Sequence, residues 1–323
     1  MKKTRLIYIT GILVSICILV GISVVYPSID DLWVENPFWN GLSKVYVTLQ
    51  PTRMQEYTLL DVLLDPKNST LFIIGPSKEF TVSEVESITF YIAKGGLLVL
   101  ADDFGTGNQL LESLGLSSRF EGGLLYDPVF HYKNSLMPII VTSNQSTVSS
   151  VVLNFATTLD VEEQYVVLRS SPLSYTVDEI DSNPTEFVSY PIMARLGLPD
   201  LDGTIVLISD SSLFINSMID RGDNLALLDN LTRGNTIIDE AHSTQSLLSR
   251  FKFVLANTYT ILSYYEIRYG LCIIGMAMIM WLKLKVEEPP IDEIELVLGK
   301  HPEYNRDQLI WLHNERRKAN GKL

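Results

Sequence analysis

Cysteine is nearly absent from this chain of 323 residues, which has only Cys17 and Cys272. Each lies inside a long apolar run, so the region between the runs has no disulfide framework to stabilise it. A chain of this length can form one large domain or two ordinary ones around hydrophobic cores. We therefore expect burial of apolar side chains, rather than covalent cross-links, to stabilise the fold.

The sequence also lacks the motif of a nucleotide-driven motor. Residues 237–242 read IIDEAH, and DEAH is the signature of a helicase motor, in which the acidic pair holds Mg²⁺ against ATP. A motor of that kind needs a Gly-rich P-loop with its Lys, and the sequence G-x-x-x-x-G-K-[ST] does not occur. The motor interpretation is therefore excluded, and the string is interpreted as the end of a buried strand.

Basic residues are scarce between the two apolar runs. Residues 27–263 contain 29 acidic and 13 basic side chains, a formal charge of −16, against −13 for the whole chain. Such a surface repels nucleic acid, so no nucleic-acid partner is expected, and it suits cationic partners. Asn68, Asn144 and Asn230 begin N-x-S/T sequons in this segment, a pattern that also arises by chance.

Two long apolar runs are present. Each is long enough to cross a hydrocarbon core of roughly 30 Å, and basic residues flank their outer ends. We predict membrane helices at 6–26 and 264–282, with a cleaved signal peptide as the alternative for the first. The positive-inside rule then places both termini, 1–5 and 283–323, in the cytoplasm. The expected location is the cell membrane, with two spans, the lipid bilayer as a partner, and residues 27–263 outside.

Between the runs, strands and helices are predicted to alternate. STLFIIGP (69–76), LLVLADDF (97–104), TIVLISD (204–210) and TIIDEAH (236–242) are continuous apolar runs typical of strands buried on both faces. KVYVTL (44–49) is also predicted as a strand. A helix is predicted over 81–96, with Ser83 as N-cap and Glu86 three residues on. The pattern predicts an α/β fold with a mostly parallel, flavodoxin-like sheet and helices on both faces.

Two segments depart from this alternation. Residues from about 117 to 190 contain short β-rich pieces separated by polar residues, and we interpret them as a β-rich insertion. In the tail, Pro289-Pro290 breaks the preceding helix, and two short helices are expected, with Asp292 and Asn305 or Asp307 as caps.

Acidic clusters follow three of the predicted parallel strands, at ADDFGTGN, SDSSLFINSMIDRGDN and IDEAHS. Ligands bind open α/β sheets outside the carboxyl ends of such strands. The candidate binding residues are Asp102, Asp103, Asn108, Asp210, Arg221, Asp239, Glu240 and His242. The alternative is that these residue types simply meet the needs of turns, as Gly105 and Gly107 would with positive φ. Arg221 is the expected counter-ion of the clustered carboxylates.

These motifs resemble a membrane-anchored family, the domain of unknown function 4350, which is frequent in archaea. The resemblance is carried by YIAKGGLLVLADDFGTGNQLLESLG, GTIVLISDSSLFINSMIDRGDNLALLDNL, IIDEAH and PPIDEIELVLGKHPEYNRDQL. It implies a fold like that of class I glutamine amidotransferases and ThuA-like domains. It also implies partners, a MoxR-type AAA+ ATPase and a von Willebrand-type membrane protein. The amidotransferase Cys nucleophile is missing, because Asp102-Asp103-Phe104 occupies its turn.

Two functions remain open at this point. The first is a non-catalytic, membrane-anchored binding or scaffold domain in a complex with the AAA+ ATPase, which the tail would dock. The second is a metal-dependent hydrolase, in which Asp102, Asp103, Asp210 and Glu240 hold a divalent cation beside His242. Only His131 and His242 occur between the apolar runs, and no H-E-x-x-H or G-x-S-x-G motif is present.

Overall fold

The computed structural model describes residues 2–57, 60, 65–142, 148–177, 186–197, 202–284 and 293–320. These form two compact units, Met1–Phe253 and Val254–Leu323. The sequon at Asn144, the Pro289-Pro290 break and the Asp292 cap lie outside the described residues.

The first unit is built on a seven-stranded sheet with the order β1-β13-β2-β3-β12-β11-β9. Its strands are β1 (Thr52–Met54), β2 (Ser69–Ile74), β3 (Leu97–Ala101), β9 (Val166–Arg169), β11 (Pro191–Gly197), β12 (Thr204–Ile208) and β13 (Asn235–Asp239). The strands from β1 to β12 in this order pair in parallel. Every residue of β2 and β3 is buried, which accounts for their continuous apolar sequences.

The prediction of a mostly parallel, flavodoxin-like sheet is wrong, because the sheet is mixed. β11 is antiparallel to β12 on one side and to β9 on the other. Only six residues separate the end of β11 at Gly197 from the start of β12 at Thr204. A parallel return needs a crossover of about a dozen residues or more, so this connection allows only antiparallel pairing.

Helices cover both faces of the sheet and build two separate cores. Successive side chains of a strand point to opposite faces, so Leu71 joins one core and Phe72 the other. The Leu71 core includes side chains of α3 (Val82–Ala93) and α4 (Gly107–Ser113). The Phe72 core includes side chains of α2 (Ser43–Leu49) and α5 (Asn224–Leu231).

The region predicted as a β-rich insertion contains short strands. Three antiparallel pairs form outside the main sheet, and β9 joins the main sheet itself. The pairs are β4 (Arg119–Phe120) with β8 (Leu159–Asp160), β5 (Leu124–Tyr126) with β10 (Tyr175–Val177), and β6 (Ile139–Val141) with β7 (Ser150–Val152).

Two local predictions are corrected. KVYVTL is helical in α2 rather than extended, and the helix ends at Gln50, whose φ is +45°. The helix over 82–93 is capped by Thr81 rather than by Ser83. The carboxylate of Glu84 accepts hydrogen bonds from the backbone N–H of Thr81 at 2.7 Å and from its hydroxyl at 2.6 Å.

The prediction of two membrane spans is also wrong. Within the part of the chain that the structure describes, no helix combines the length and the apolar character needed to cross a membrane. The relevant helices are α1 (Lys2–Val25) and α7 (Tyr265–Leu284). The predicted two-span membrane location, with both termini in the cytoplasm, is therefore also wrong.

The remaining described helices are α6 (Leu247–Ser263) and, in the second unit, α8 (Glu293–Lys300) and α9 (Arg306–Asn320). The side chain of Asn305 accepts a hydrogen bond of 2.9 Å from the backbone N–H of Asp307, so it caps α9. Glu295 of α8 and Arg306 of α9 form an exposed ion pair at 3.4 Å.

Candidate functional site

The polar residues singled out in the sequence follow strands that end at the same edge of the sheet. β2, β3 and β12 are in parallel register, with Ile74 opposite Ala101 and Ala101 opposite Ile208. The loops that leave these strands therefore start side by side, and the loop after β13 starts beside that of β2. This edge is the one at which open α/β sheets bind ligands.

Asp102 is the first residue beyond β3, and its carboxylate is 1% exposed. One oxygen accepts hydrogen bonds from the backbone N–H groups of Asp103 at 2.9 Å and Gly105 at 3.0 Å, and the other accepts one from Gly107 at 2.7 Å. Burial raises the pKa of Asp102 to about 6, although these N–H groups oppose the rise. A Cβ on Gly107 would lie 2.5 Å from Asp102 Oδ2, so close approach, rather than positive φ, requires glycine there.

Asp103 and Asp210 complete a group that we call the loop-anchoring carboxylates, Asp102, Asp103 and Asp210. Asp103 accepts hydrogen bonds from the backbone N–H of Phe104 at 2.9 Å and from the Ser211 hydroxyl at 3.2 Å. Asp210 is fully buried, and its two oxygens accept from the backbone N–H groups of Asn154 at 2.6 Å and Leu213 at 3.1 Å. Burial raises the pKa of Asp210 well above its usual value, and the neighbouring charge of Asp103 adds to this.

Asn108 and Glu240 also have partners within the fold. The Asn108 side chain both accepts from and donates to the backbone of Phe120, each at 2.8 Å, so it ties α4 to β4. Glu240 is 1% exposed and accepts from Arg53 Nε at 2.8 Å and from Gln55 Nε2 at 3.3 Å. Burial raises the pKa of Glu240, and the Arg53 guanidinium opposes this.

His242 lies in a group that we call the histidine cluster, in which Tyr57, Phe80, Asp239 and His242 are buried and Glu84 is half-buried. Its Nδ1 is 3.1 Å from Asp239 Oδ2, and its Nε2 is 3.5 Å from Glu84 Oε2. The imidazole stacks on the Phe80 ring with 3.6 Å between centroids, and the Tyr57 ring meets its edge at 5.4 Å. The imidazole therefore has a neighbour at each nitrogen and on its face.

Tyr57 adds a phenol to the histidine cluster. Burial raises its pKa well above the usual value, and the negative charge of Asp239 adds to the rise. The hydroxyl is buried and makes no hydrogen bond of ordinary length to a described residue. It is therefore held in its neutral form near the Asp239 carboxylate.

Arg221 has contacts of a different kind. Its Nε donates to the carbonyl of Ser217 at 3.2 Å, and its guanidinium lies over the Tyr132 ring, 5.6 Å from the centroid. The side chain is exposed. Arg221 does not occur among the described hydrogen bonds or ion pairs of the loop-anchoring carboxylates, whose charge is instead met by backbone N–H groups.

The four carboxylates predicted as metal ligands do not lie in a single group that could bind one divalent cation. Asp102, Asp103 and Asp210 are in one group, whereas Glu240 is bound to Arg53 on the β1 side of the sheet. Within the described ranges, no three His, Cys, Asp or Glu side chains are arranged to hold a metal ion. The oxygens that a hard cation would need are already accepting hydrogen bonds from the protein.

A crevice of about 560 Å³ opens at the edge where β13 lies beside β2. We call it the strand-end crevice; its lining is Ile29, Asp30, Asp31, Leu32, Gly75, Ser77, Ser243, Thr244 and Ser246. β13, the last strand of the chain, is inserted between β1 and β2, so the sequential order of the strands breaks here. The crevice lies beyond the carboxyl ends of the parallel strands β2 and β13, and that end of the strands is where open α/β sheets bind ligands.

Three segments of the chain are fixed together around the strand-end crevice. Ser77, after β2, donates to the carbonyl of His242 from its backbone N–H at 2.8 Å and from its hydroxyl at 3.0 Å. The carboxylate of Asp30 accepts from the backbone N–H of Ser246 at 3.1 Å. The crevice is therefore a defined part of the fold rather than a gap between independent loops.

Gly75 allows the segment before β1 to reach this position. Its φ is +55°, and a Cβ there would lie 2.2 Å from Leu32 Cδ1. Leu32 itself has a φ of +52°, a costly conformation for a residue with a branched side chain. The wall formed by residues 29–32 thus depends on the absence of a side chain at the end of β2.

Several residues of this edge were not predicted from the sequence. Asp30, Asp31 and Ser243 line the crevice, and Glu84 and Tyr57 belong to the histidine cluster. The acidic pair in PSIDDLW and the Ser-Thr pair after DEAH were visible signals. Their proximity depends on the order of the strands, which the sequence did not reveal.

The family follows from a comparison with known protein families. The model of the domain of unknown function DUF4350 matches residues 34–232. The chain belongs to this family. The matched segment contains the loop-anchoring carboxylates, whereas residues 29–32 and 243–246 of the strand-end crevice lie on either side of it.

The other comparisons do not indicate a function for this DUF4350 member. No curated protein matches the chain. A structure titled "mmIFT52 N-terminal domain" is 17% identical with a TM-score of 0.43, over 55% of this chain and 78% of that one. The exo-beta-1,4-mannosidase Op5Man5 from Opitutaceae bacterium strain TAV5 is 9% identical with a TM-score of 0.27, over 50% of this chain and 24% of that one.

Proposed function

We propose that the α/β unit is a non-catalytic binding domain whose ligand site is the strand-end crevice. The observation that carries the proposal is the position of this crevice beyond the carboxyl ends of the parallel strands β2 and β13. Its volume of about 560 Å³ is within the range of sites for small molecules, roughly 300–1,000 Å³.

The burial and the contacts of the titratable groups favour binding over catalysis. A general base must present a free atom to its substrate. His242 is 2% exposed, and its two nitrogens face Asp239 and Glu84. The loop-anchoring carboxylates are similarly engaged with backbone N–H groups. These contacts favour a structural role for the residues that a hydrolase would use.

The alternative of a metal-dependent hydrolase has a direct test. Calorimetric titration of the full chain with Ca²⁺, Mg²⁺, Mn²⁺ and Zn²⁺ measures whether Asp102, Asp103, Asp210 and Glu240 bind a divalent cation. Binding that is lost in Asp103→Asn would favour the hydrolase and contradict the non-catalytic proposal. A complex with a cytoplasmic AAA+ ATPase stays a prediction, to be tested by co-purification with and without residues 291–323.

The binding proposal is tested with a variant that fills the crevice. The purified chain is incubated with a small-molecule extract, separated rapidly by gel filtration, and analysed by mass spectrometry for retained compounds. We expect a compound that is retained by the wild type and lost in Thr244→Trp, because Thr244 lines the crevice and is exposed. Thr258→Trp, an exposed threonine of α6, is the matched control and retains the compound. If the wild type retains nothing, or Thr244→Trp retains the same compound, the proposal is wrong.

A further inference from the structure

The strand-end crevice contains acidic groups without a basic counterpart. Asp30 and Asp31 contribute carboxylates, and Ser77, Ser243, Thr244 and Ser246 contribute hydroxyl groups. Among the described residues of its lining, none is Lys, Arg or His. The crevice therefore offers a concentration of hydrogen-bond acceptors with negative charge, inside a segment whose formal charge is −16.

Asp30 is buried, and one of its two carboxylate oxygens accepts no hydrogen bond from a described residue. The residue is 8% exposed, and one of its oxygens, Oδ2, accepts from the backbone N–H of Ser246 at 3.1 Å. The other oxygen has no hydrogen bond or ion pair with any described residue. That oxygen is not one of the fully buried atoms that lack a partner, so it is accessible, and a cationic ligand could donate a charge-assisted hydrogen bond to it.

Ser243 gives an independent indication of a ligand. The residue is 6% exposed and lines the crevice. Its hydroxyl has no hydrogen-bond partner among the residues that the structure describes, unlike the hydroxyls of Ser77 and Thr244, which bond each other at 2.7 Å. The hydroxyl oxygen is not one of the fully buried atoms that lack a partner, so it opens toward the crevice and is available for a bound molecule.

The residues that line the crevice limit the chemical class of its ligand. Ile29 is 52% exposed, and with Leu32 it gives the crevice an apolar wall beside the polar one. An ammonium group donates three hydrogen bonds and carries a positive charge, and the alkyl chain attached to it suits an apolar surface. A bare divalent cation would instead need six or more oxygens around it.

We propose that the strand-end crevice binds a small alkylamine through its ammonium group, which the carboxylates of Asp30 and Asp31 and the hydroxyl of Ser243 receive. The inference rests on the proposed function, because it names the ligand class of the same site. The alkyl chain lies along Ile29 and Leu32.

The test compares two probes of the same length by calorimetry on the full chain. 1,5-Diaminopentane carries ammonium groups, and 1,5-pentanediol carries hydroxyl groups in their place. We expect the diamine to bind at least about tenfold more tightly, since charge-assisted hydrogen bonds are roughly twice as strong as neutral ones. The affinity for the diamine should fall as the salt concentration rises. Equal affinity for the two probes, or failure of the diamine to bind at millimolar concentration, overturns the proposal.

Variants separate binding from folding. Ser243→Ala should weaken diamine binding about threefold to tenfold without lowering the midpoint of urea unfolding, because the hydroxyl makes no hydrogen bond to a described residue. Asp30→Asn should weaken it by at least about tenfold, and it retains an oxygen for the N–H of Ser246. Asp229→Asn removes an exposed carboxylate of α5 and should leave the affinity unchanged. Wild-type affinity in Ser243→Ala contradicts the assignment.

The proposed function and this inference can fail separately. If the extract experiment yields a neutral compound that is lost in Thr244→Trp, the crevice is a binding site and the amine assignment is wrong. If the extract yields no compound and the diamine does not bind, both are wrong. Both are supported if the extract yields a compound that Thr244→Trp loses and Thr244→Trp also abolishes diamine binding.

Discussion

The loop-anchoring carboxylates and the strand-end crevice lie along the same edge of one sheet, yet their polar atoms have opposite surroundings. Asp102 accepts three hydrogen bonds from backbone N–H groups, and Asp210 accepts two. In the crevice, the Ser243 hydroxyl and one oxygen of Asp30 accept none from the described residues. The first region uses its acceptors to hold its own loops, and the second leaves acceptors open.

The comparison shows that acidity at a strand end does not by itself mark a ligand site. Turns that follow buried strands leave N–H groups without partners, and carboxylates are efficient acceptors for them. A ligand site requires acceptors that remain after the protein's own donors have been satisfied. By this criterion the crevice, rather than the more acidic loops after β3 and β12, is the better candidate.

The largest expected effect is at Asp210. Asp210→Ala should lower the free energy of unfolding by about 4 kcal/mol, because the N–H groups of Asn154 and Leu213 would lose a buried acceptor. Urea denaturation of the full chain measures the change. Asp229→Ala, at an exposed position of α5, should cost less than about 0.5 kcal/mol. A loss at Asp210 as small as that of the control would mean that the carboxylate does not anchor these loops.

A smaller effect is expected from the titration of Asp102. Its pKa is raised from 3.8 to about 6 in the folded chain, so the folded state binds the proton more tightly than the unfolded state. The stability that this group contributes is full below pH about 4 and is lost as the pH rises through about 6. The free energy of unfolding should fall by about 2 to 3 kcal/mol over this pH range, because the proton binds the folded state more tightly than the unfolded state.

The measurement is the free energy of unfolding between pH 3.5 and 7 for the wild type and Asp102→Asn. The variant cannot titrate at this position, so its stability should vary less with pH across this window. Parallel curves for the two proteins would show that Asp102 has an ordinary pKa, and that its three N–H donors offset the effect of burial.

The smallest effect is expected at Arg221, which the sequence suggested as counter-ion of the carboxylates. Arg221→Ala should change the free energy of unfolding by less than about 0.5 kcal/mol, equally at pH 4 and pH 7, because the exposed guanidinium contacts Ser217 and Tyr132. Urea denaturation at the two pH values tests this. A loss above about 1 kcal/mol that shrinks at pH 4 would restore Arg221 as the neutralising charge.

The buried strands were the most predictable part of the fold. Their apolar runs identified β2, β3, β12 and β13, and each is confirmed as an individual element. KVYVTL was misassigned because its β-branched residues favour strands, whereas in the fold its Val45 is buried in the helix α2. The antiparallel direction of β11 was not recognised, although the short connection to β12 could have indicated it.

The candidate site was predictable in composition but not in its contacts. Asp102, Asp210 and Asp239 were placed at strand ends, and the structure finds them there. Their partners depend on distant parts of the chain: Arg53 reaches Glu240 across 187 positions because β1 pairs with β13. A single sequence does not contain the strand order, so neither this ion pair nor the approach of Asp30 to Ser246 could be derived.

The insertion of β13 between β1 and β2 has a practical consequence for the design of expression fragments. The family match ends at residue 232, three residues before this strand begins at Asn235. A fragment trimmed to 34–232 would omit the strand that pairs with both β1 and β2. It would present two unpaired strand edges, which invite aggregation. Boundaries chosen from the family match alone would therefore produce an incomplete sheet, and the segments that flank the match should be retained.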